Sequence, residues 1–449
     1  MPRGSVFVCS ACGQESARWH GRCPGCGEWD TLVEEAVGDG PTGGRRRSAP
    51  APPAVPLSRV EAPQVARVRT GIGELDRVLG GGLVPGSLVL LGGAPGIGKS
   101  TLTSSALGNL AAAGRPVLYV SGEESAAQVR LRAERLGESA LSVPFVAETD
   151  VDAVVAAIES ERPAVCVIDS VQVLYDATLS GAPGSVGQVR EAAIRIMRVA
   201  KQRGIAVVLV GHVTKEGSLA GPRVLEHLVD CVLSFEGERE RAYRTLRGLK
   251  NRFGSTSEVG VFEMGPAGLV EVADASARFV SEAVRGPGSV VLCAMEGSRP
   301  LLVEVQALVA PSELVPPRRV ANGVDRNRLA LVLAVLGRHA GVRLGSSDVF
   351  VSVAGGVRVD EPGADLAVAL ALASAAQGVA LGSERRPLAA FGEVGLTGEL
   401  RHAAHAERRL AEAAKFGLEP VVCPGEALPD VRSALSAALS GQPRAARAA

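Results

Sequence analysis

The fold of the central part of this chain is set by residues 88–101, which read LVLLGGAPGIGKST. The first four residues are apolar and predict a buried strand, and the pattern G-x-x-x-x-G-K-S then leads into a helical segment. Glycines in such a loop let backbone amides turn toward phosphates at a helix N-terminus, the lysine reaches the β- and γ-phosphates, and the serine hydroxyl ligates Mg²⁺. A glycine-rich turn without a ligand is the alternative, and it is disfavoured because strand, loop and helix are all in register. The candidate ATP- and Mg²⁺-binding residues are therefore Gly93, Ala94, Pro95, Gly96, Ile97, Gly98, Lys99, Ser100 and Thr101.

Two further predicted strands lead into acidic residues. The buried run 165–169 ends in Asp169, the candidate Walker B carboxylate that would join the Mg²⁺ site, with a helix N-cap as the alternative. Glu123 and Glu124 follow a second strand, and a carboxylate there could polarise the attacking water, although glutamates also suit the first turn of any helix. We assign catalytic roles to Lys99, Glu123 and Asp169, and the choice between Glu123 and Glu124 stays open.

Strand-like and helix-like patterns alternate around this loop from about residue 65 to residue 272. The order strand, helix, strand predicts an α/β domain with a mostly parallel sheet that helices cover on both faces. The predicted strands are 87–91, 117–120, 164–168 and 205–210, and the predicted helices begin at Lys99 or span 125–136 and 187–201.

The N-terminal segment contains two C-x-x-C pairs separated by ten residues. Four thiolates in two tight turns predict a closed, structural Zn²⁺ site. Trp19 and Trp29 lie in the same segment, where they either cap a miniature core or form a stacking or partner surface. The candidate zinc ligands are Cys9, Cys12, Cys23 and Cys26.

Length and composition suit a folded chain of several domains. The chain has 449 residues with 46% apolar content, which at about 150 residues per domain suggests two to four folded units. No apolar run reaches the roughly 18 residues of a membrane span, so a cytoplasmic location without a membrane partner is expected. Lys plus Arg and Asp plus Glu both total 48, so a nucleic-acid site would have to be a local patch.

Two segments resemble the RecA-like ATPase core. They are the glycine-rich segment 70–86 and the strand 207–210 together with the residues GHVTK that follow it. In that core a polar residue at the end of this strand senses the γ-phosphate, and the loop after it approaches DNA. The resemblance implies that His212 is the sensor and that the loop of about 214–223 contacts DNA through Lys215 and Arg223.

The pentapeptide KNRFG at residues 250–254 completes a second resemblance. Together with the four cysteines and the P-loop, it closely resembles the bacterial RadA (Sms) family of DNA repair proteins over essentially the whole chain. The family implies a DNA-dependent ATPase and helicase-type motor that processes recombination intermediates and promotes branch migration. It also implies a homo-hexamer on single-stranded and branched DNA, with recombinase or replication proteins as partners.

The motif comprises Lys250, Asn251, Arg252, Phe253 and Gly254, which we predict to act in sensing or coupling. Two cations spaced i, i+2 on an extended segment point the same way and suit a shared anion. That anion would be a neighbouring subunit's γ-phosphate or a nucleic-acid phosphate. A surface strand with ordinary basic residues is the alternative.

The C-terminal segments 348–367 and 391–400 resemble the proteolytic domain of Lon. Matching the motifs places Gly363 at the nucleophile position and Glu407 at the lysine position, so we predict a Lon-like fold without the Ser/Lys dyad. Ser352 and Lys415 do not have the spacing of a dyad. The arginines of this region form either a basic surface or an ordinary solvated face; they are Arg318, Arg319, Arg326, Arg328, Arg338 and Arg343.

Four regions are predicted from these patterns. They are a zinc module at 1–36, a flexible linker at 37–64, a RecA-like domain at 65–275 and a Lon-like domain at 276–449. Two other functions remain as alternatives, an ATP-dependent Lon-like protease or unfoldase and a KaiC-like ATP-binding regulatory scaffold. The zinc module argues against the scaffold.

Overall fold

This computed structural model describes residues 5–9, 14–25, 27–36, 56, 66–179, 181–213, 219–220, 224–237, 243–265, 268–383 and 386–440. The chain forms two compact units. The first comprises Met1–Glu236, Leu246–Thr256 and Gly265–Leu269, and the second comprises Gly237–Thr245, Ser257–Met264 and Val270–Ala449. Residues between 237 and 269 contribute to both units, and the domain boundaries given above stay predictions.

The N-terminal module is a small antiparallel sheet. Its strands are β1 Ser5–Cys9, β2 Glu15–Ser16 and β3 Leu32–Ala36, in the order β2-β1-β3. Cys9, Cys23 and Leu32 form its buried centre, with Phe7 packed against them. The two tryptophans lie outside this centre, with Trp19 55% and Trp29 69% exposed, so the interpretation that they cap a miniature core is wrong.

The rest of the first unit is built on a parallel sheet. The strands of the parallel sheet are β4 Leu88–Gly93, β5 Val117–Ser121, β6 Phe145–Ala147, β7 Val165–Asp169, β8 Ala206–Val210 and β11 Cys231–Glu236. A separate antiparallel pair consists of β9 His212–Val213 and β10 Leu219–Ala220. The parallel strands lie in the order β11-β4-β8-β7-β5-β6. Every residue of β4, β5, β7 and β8 is buried, as expected for strands covered by helices on both faces. The predicted parallel α/β core is confirmed.

The helices of this unit begin and end where local sequence signals place them. They are α1 Gly73–Leu79, α2 Lys99–Ala112, α3 Ala126–Leu136, α4 Glu138–Leu141, α5 Val151–Glu161, α6 Val186–Arg203 and α7 Val224–Leu228. Ser125 and Gln128 form a capping box at the start of α3, and Gly204 ends α6 in the left-handed conformation. Three strands then contain residues of both units: β12 Tyr243–Asn251, β13 Val259–Gly265 and β14 Gly268–Glu271.

The second unit is a separate α/β body around a five-stranded mixed sheet. Its elements are α8 Ala275–Glu282, β15 Ser289–Glu296, β16 Arg299–Pro311, β17 Arg319–Asn322, α9 Arg326–Val335, β18 Ser347–Val353, α10 Asp365–Gln377, β19 Ala389–Ala390, β20 Glu393–Val394, β21 Leu400–Arg401, α11 Ala406–Lys415 and α12 Val431–Leu439. The sheet order is β17-β18-β16-β15-β19, and the almost entirely buried α10 packs on β15 and β16. The α-helix α9 ends at Val335, and the chain continues as a π-helical turn over Leu336–Ala340. Within the described residues, no helix combines the length and apolar character of a membrane-spanning segment.

Candidate active site

The P-loop lies between β4 and α2, as its sequence pattern predicts. Gly96 and Gly98 adopt φ values of 75° and 116°, a left-handed region that favours glycine. A Cβ at Gly93 would lie 2.7 Å from the carbonyl oxygen of Phe235 on β11, so the close approach of these two strands requires glycine there. The loop ends at the N-terminus of the 14-residue helix α2, where backbone amides and the helix dipole favour phosphate.

Lys99 is the first residue of α2, and its side chain lies near the carboxylates of Asp169 and Glu123. Its Nζ donates hydrogen bonds to the carbonyl oxygens of Gly93 at 2.8 Å and Ala94 at 3.1 Å. Burial lowers the pKa of Lys99, and the negative charges of Asp169 and Glu123 partly offset this effect. The structure therefore brings together the three side chains to which the sequence analysis gives catalytic roles.

Asp169 lies at the end of β7 and is almost fully buried. Tyr119 on the neighbouring strand β5 donates a hydrogen bond from its hydroxyl to Asp169 Oδ2 at 2.8 Å. The main chains meet at the same point, where the amide of Gly122 donates to the carbonyl of Asp169 at 3.1 Å. Carboxylate and hydroxyl oxygens are the ligands that Mg²⁺ prefers, so Asp169 and the P-loop residue Ser100 fit a Mg²⁺–nucleotide complex.

Glu123 and Glu124 have different environments. Glu123 accepts a hydrogen bond from the hydroxyl of Ser170, the residue after Asp169, and its charge acts on Lys99. Glu124 instead forms an ion pair with Arg132 on α3. Glu123 thus lies among the catalytic candidates, whereas Glu124 is tied to a helix beside them.

Tyr119 and Arg132 were not singled out from the sequence. Arg132 Nη2 donates to the Tyr119 hydroxyl at 2.9 Å, which links Glu124, Arg132, Tyr119 and Asp169 in one chain of polar contacts. A tyrosine in an otherwise apolar buried strand was the available signal, because a buried phenol normally needs a hydrogen-bond partner. Nothing in the sequence spacing identifies that partner.

The segment after β8 is described only in part. Gly211 bonds through its amide to the carbonyl of Leu91 at 2.9 Å, and this places the backbone of His212 at the same edge of the sheet as the P-loop. The strand that contains His212, β9, pairs antiparallel with β10. Lys215 and Arg223, the tentative DNA contacts, lie outside the described residues.

Lys250 and Arg252 contact the segment that joins α7 to β11. Lys250 Nζ donates to the carbonyls of Glu226 at 2.6 Å and Val229 at 2.8 Å, and Arg252 pairs with Asp230 at 3.2 Å. Both cations thus point toward the same place, as their spacing predicts, but there they contact groups of their own chain.

This contact lies at the opposite end of β4 from the P-loop. Asp230 Oδ2 accepts a hydrogen bond at 3.1 Å from the amide of Leu88, the first residue of β4. At about 3.3 Å per residue, the strand separates Leu88 from Gly93 by roughly 16 Å. Arg252 is therefore far from the phosphate site of its own subunit.

The remaining KNRFG residues contact the end of α1. The Asn251 side-chain amide donates to the carbonyls of Val78 and Leu79, each at 3.4 Å, and its oxygen accepts from the amide of Phe253 at 2.9 Å. Gly254 lies close to Gly80, where a Cβ on Gly254 would be 3.5 Å from the Gly80 Cα. Asn251, Phe253 and Gly254 thus attach the motif to the glycine-rich segment after α1.

Two of the four candidate zinc ligands can be placed. Cys9 and Cys23 are buried together in the N-terminal module, and the amide of Gly25 donates to Cys23 Sγ at 3.3 Å. Backbone amides that donate to sulfur stabilise a thiolate, the form that binds metal. Cys12 and Cys26 lie outside the described residues.

In the segment predicted to be Lon-like, the side chain beside Gly363 is a cation, Arg409, and not Glu407, the carboxylate that sequence counting places there. A Cβ on Gly363 would lie 3.2 Å from Nη1 of Arg409, which is 1% exposed and pairs with Glu361. Glu407, placed there by counting, is exposed. The assignment of Glu407 to the lysine position is wrong, because counting residues does not identify which side of α11 faces the sheet.

The arginines proposed as a basic surface fall into two sets. Arg318 pairs with Asp348, Arg328 pairs with Asp365, and Arg319 donates to the carbonyl of Leu344. The other three, Arg326, Arg338 and Arg343, are exposed and leave both interpretations open, a basic surface or an ordinary solvated face.

Two family models match parts of this chain, one in the N-terminal module and one in the region that contains the P-loop. Residues 7–34 match the model of a rubredoxin metal binding domain, and residues 54–218 match that of an AAA domain. A KaiC-like protein from Pyrococcus horikoshii OT3 aligns with a TM-score of 0.39 at 23% identity, covering 46% of this chain and 99% of that chain.

Curated relatives match along nearly the whole chain. The DNA repair protein RadA of Bacillus subtilis is 47% identical over 94% of this chain and 92% of the relative. The proteins of the same name from Brucella abortus and Pseudomonas aeruginosa are 50% and 49% identical, each over 93% of this chain and over 91% and 92% of the relative.

Proposed function

This chain belongs to the RadA family of DNA repair proteins, and from that premise we propose that it is a DNA-dependent ATPase that drives branch migration of recombination intermediates. The family, the AAA domain and the zinc ribbon identify an ATP-binding DNA repair protein. The observation that supports the motor is the convergence of Lys99, Glu123 and Asp169 on one P-loop.

Each side chain has a role in this proposal. Lys99 binds the β- and γ-phosphates after exchanging its contacts with the loop carbonyls for contacts with phosphate oxygens. Ser100 and Asp169 would hold Mg²⁺, which when bound offsets negative charge on the phosphates. Glu123 orients and polarises the attacking water, and Glu124 takes no direct part because Arg132 holds its carboxylate.

The position of the KNRFG motif supports a role in coupling to DNA. Lys250 and Arg252 lie at the end of β4 that is remote from the P-loop, so they act on a neighbouring subunit's nucleotide or on DNA rather than on their own nucleotide. We propose a homo-hexamer on single-stranded and branched DNA, with His212 as the γ-phosphate sensor and the segment 214–223 as the DNA-contacting loop. The four cysteines would hold a structural Zn²⁺, and recombinase or replication proteins are the proposed partners of this cytoplasmic motor.

Three variants test the catalytic assignment. Lys99→Ala and Glu123→Gln should each lower ATP turnover by about 100-fold or more, because each removes a group that acts on the transition state. Glu124→Gln should lower turnover by less than about tenfold, because loss of one ion-pair partner costs about 1 kcal/mol. A larger loss in Glu124→Gln than in Glu123→Gln would reverse the assignment of the two glutamates.

The motor itself is tested with DNA. Single-stranded DNA should raise the ATPase rate, DNA binding should weaken as salt rises, and the wild-type protein should extend branches in a three-strand substrate while Lys99→Ala should not. An ATPase whose rate ignores DNA, in a protein that moves no branch, would exclude the motor and leave the ATP-binding scaffold.

A further inference from the structure

Tyr119 and Arg132 form a polar connection to the catalytic carboxylate that the proposed mechanism does not use. The Tyr119 hydroxyl donates to Asp169 Oδ2 at 2.8 Å and accepts from Arg132 Nη2 at 2.9 Å. The other arm of Arg132 pairs with Glu124. One oxygen of Asp169 is thus held through a side chain that comes from a different strand.

Two neighbouring side chains lie against the Tyr119 ring. Its centroid lies 6.0 Å from that of Phe145 in a stacked arrangement, and the Arg132 guanidinium lies 5.8 Å from the Tyr119 ring centroid. Tyr119 is 2% exposed, so its hydroxyl has little freedom to move away from Asp169. A hydrogen-bond donor held in this way restricts the rotation of the carboxylate that it contacts.

We propose that Tyr119 is a positioning residue that orients the Asp169 carboxylate for the Mg²⁺–nucleotide complex, and that Arg132 holds Tyr119 in place. The proposal rests on the assignment of Asp169 given above. Partners of this kind around metal-binding carboxylates typically contribute about 10–100-fold to metal affinity or activity. The effect should therefore appear in the Mg²⁺ dependence of nucleotide binding, apart from ATP turnover.

The experiment compares the full-length wild-type protein with Tyr119→Phe, Tyr175→Phe and Asp169→Asn. A fluorescent ADP analogue is titrated at a series of Mg²⁺ concentrations and in EDTA, and thermal melting is recorded for each protein. Tyr119→Phe should raise the Mg²⁺ concentration at half-effect about tenfold while binding in EDTA stays as in the wild type. Tyr175→Phe, the matched removal of a hydroxyl elsewhere in the first unit, should shift neither.

Three results separate the possible failures. A wild-type Mg²⁺ midpoint in Tyr119→Phe, with Asp169→Asn shifted, would overturn this inference alone. A wild-type midpoint in Asp169→Asn would remove the assignment of Asp169 on which the inference rests. Loss of EDTA binding together with a lower melting temperature in Tyr119→Phe would show a structural role and would also overturn the inference.

Arg132→Lys supplies a second variant. Lysine keeps the charge but cannot make the two-armed contact with Glu124 and Tyr119, so a smaller shift in the same direction is expected. Because Arg132 acts on Asp169 through Tyr119, the double variant Tyr119→Phe/Arg132→Lys should have the same Mg²⁺ midpoint as Tyr119→Phe alone. The two shifts should not multiply. Multiplicative shifts would contradict a common route through Tyr119.

Discussion

Replacing Arg409 with methionine should destabilise the second unit by about 4 kcal/mol, although methionine fills a similar volume and suits an apolar site. Arg409 is 1% exposed and forms a two-armed ion pair with Glu361. It also donates to the carbonyls of Cys293 at 2.7 Å and Ala404 at 2.9 Å. The variant leaves all three acceptors without this donor.

The magnitude follows from the fate of those groups. Removing one partner of a buried ion pair typically costs about 3–5 kcal/mol, because the other charge stays behind without compensation. Glu361 is 20% exposed at its side chain, so water can recover part of its solvation and the lower half of that range applies to the pair. The carbonyls of Cys293 and Ala404 lose the hydrogen bonds from Arg409, and this loss raises the total destabilisation to about 4 kcal/mol.

The assay is thermal unfolding of the full-length protein, followed by circular dichroism. For a unit of this size, about 4 kcal/mol corresponds to a decrease of roughly 8–16 °C in the melting temperature of the transition that reports the second unit. Arg408→Met is the matched control, because Arg408 is exposed and donates only to the carbonyl of Ser298 among the contacts described for it. Equal melting temperatures for Arg409→Met and Arg408→Met would refute the reasoning.

Two further predictions concern the KNRFG motif and the N-terminal module. Lys250→Met should reduce branch migration more than ATP hydrolysis, because Lys250 contacts the end of α7 rather than the P-loop. Lys201→Met, on the exposed side of α6, is the control, and equal losses of branch migration and ATP hydrolysis in Lys250→Met would contradict the prediction. Trp29→Ala should change the stability of the N-terminal module by less than about 1 kcal/mol, because the ring is mostly exposed. Leu32→Ala should lower that stability by about 2–4 kcal/mol, because Leu32 is buried. Zinc retention against a competing chelator measures both effects.

The elements that the sequence predicts well are those whose signal is local. The strand before the P-loop, the helix from Lys99 and the strand that ends at Asp169 are placed to within a residue or two. In each case a short apolar run is followed directly by glycines or a carboxylate, and both signals lie in one stretch of chain. Because the strands are parallel, their carboxyl ends then meet at the same edge of the sheet.

The relations that the sequence could not predict depend on packing between distant segments. Tyr119 and Arg132 are 13 residues apart, on a strand and a helix. Only the packing of α3 against β6, the neighbour of β5 in the sheet, brings the guanidinium to the hydroxyl. Arg409 and Glu407 differ by two positions on one helix, and the side of α11 that faces the sheet decides which one is buried. Neither relation produces a fixed spacing of residues in the sequence from which it could be predicted.

The two ends of β4 support the proposal that the KNRFG motif acts in coupling ATP hydrolysis to DNA rather than in the chemistry itself. One end leads into the loop that holds Lys99, and the other end is bonded to Asp230, which in turn contacts Arg252. A buried strand is stiff along its length, so its two ends, Leu88 and Gly93, keep their separation of roughly 16 Å while the nucleotide is bound and split. Arg252 therefore does not reach a phosphate held by Lys99 of the same chain, which is why the proposal gives it a neighbouring subunit's nucleotide or DNA as its anion.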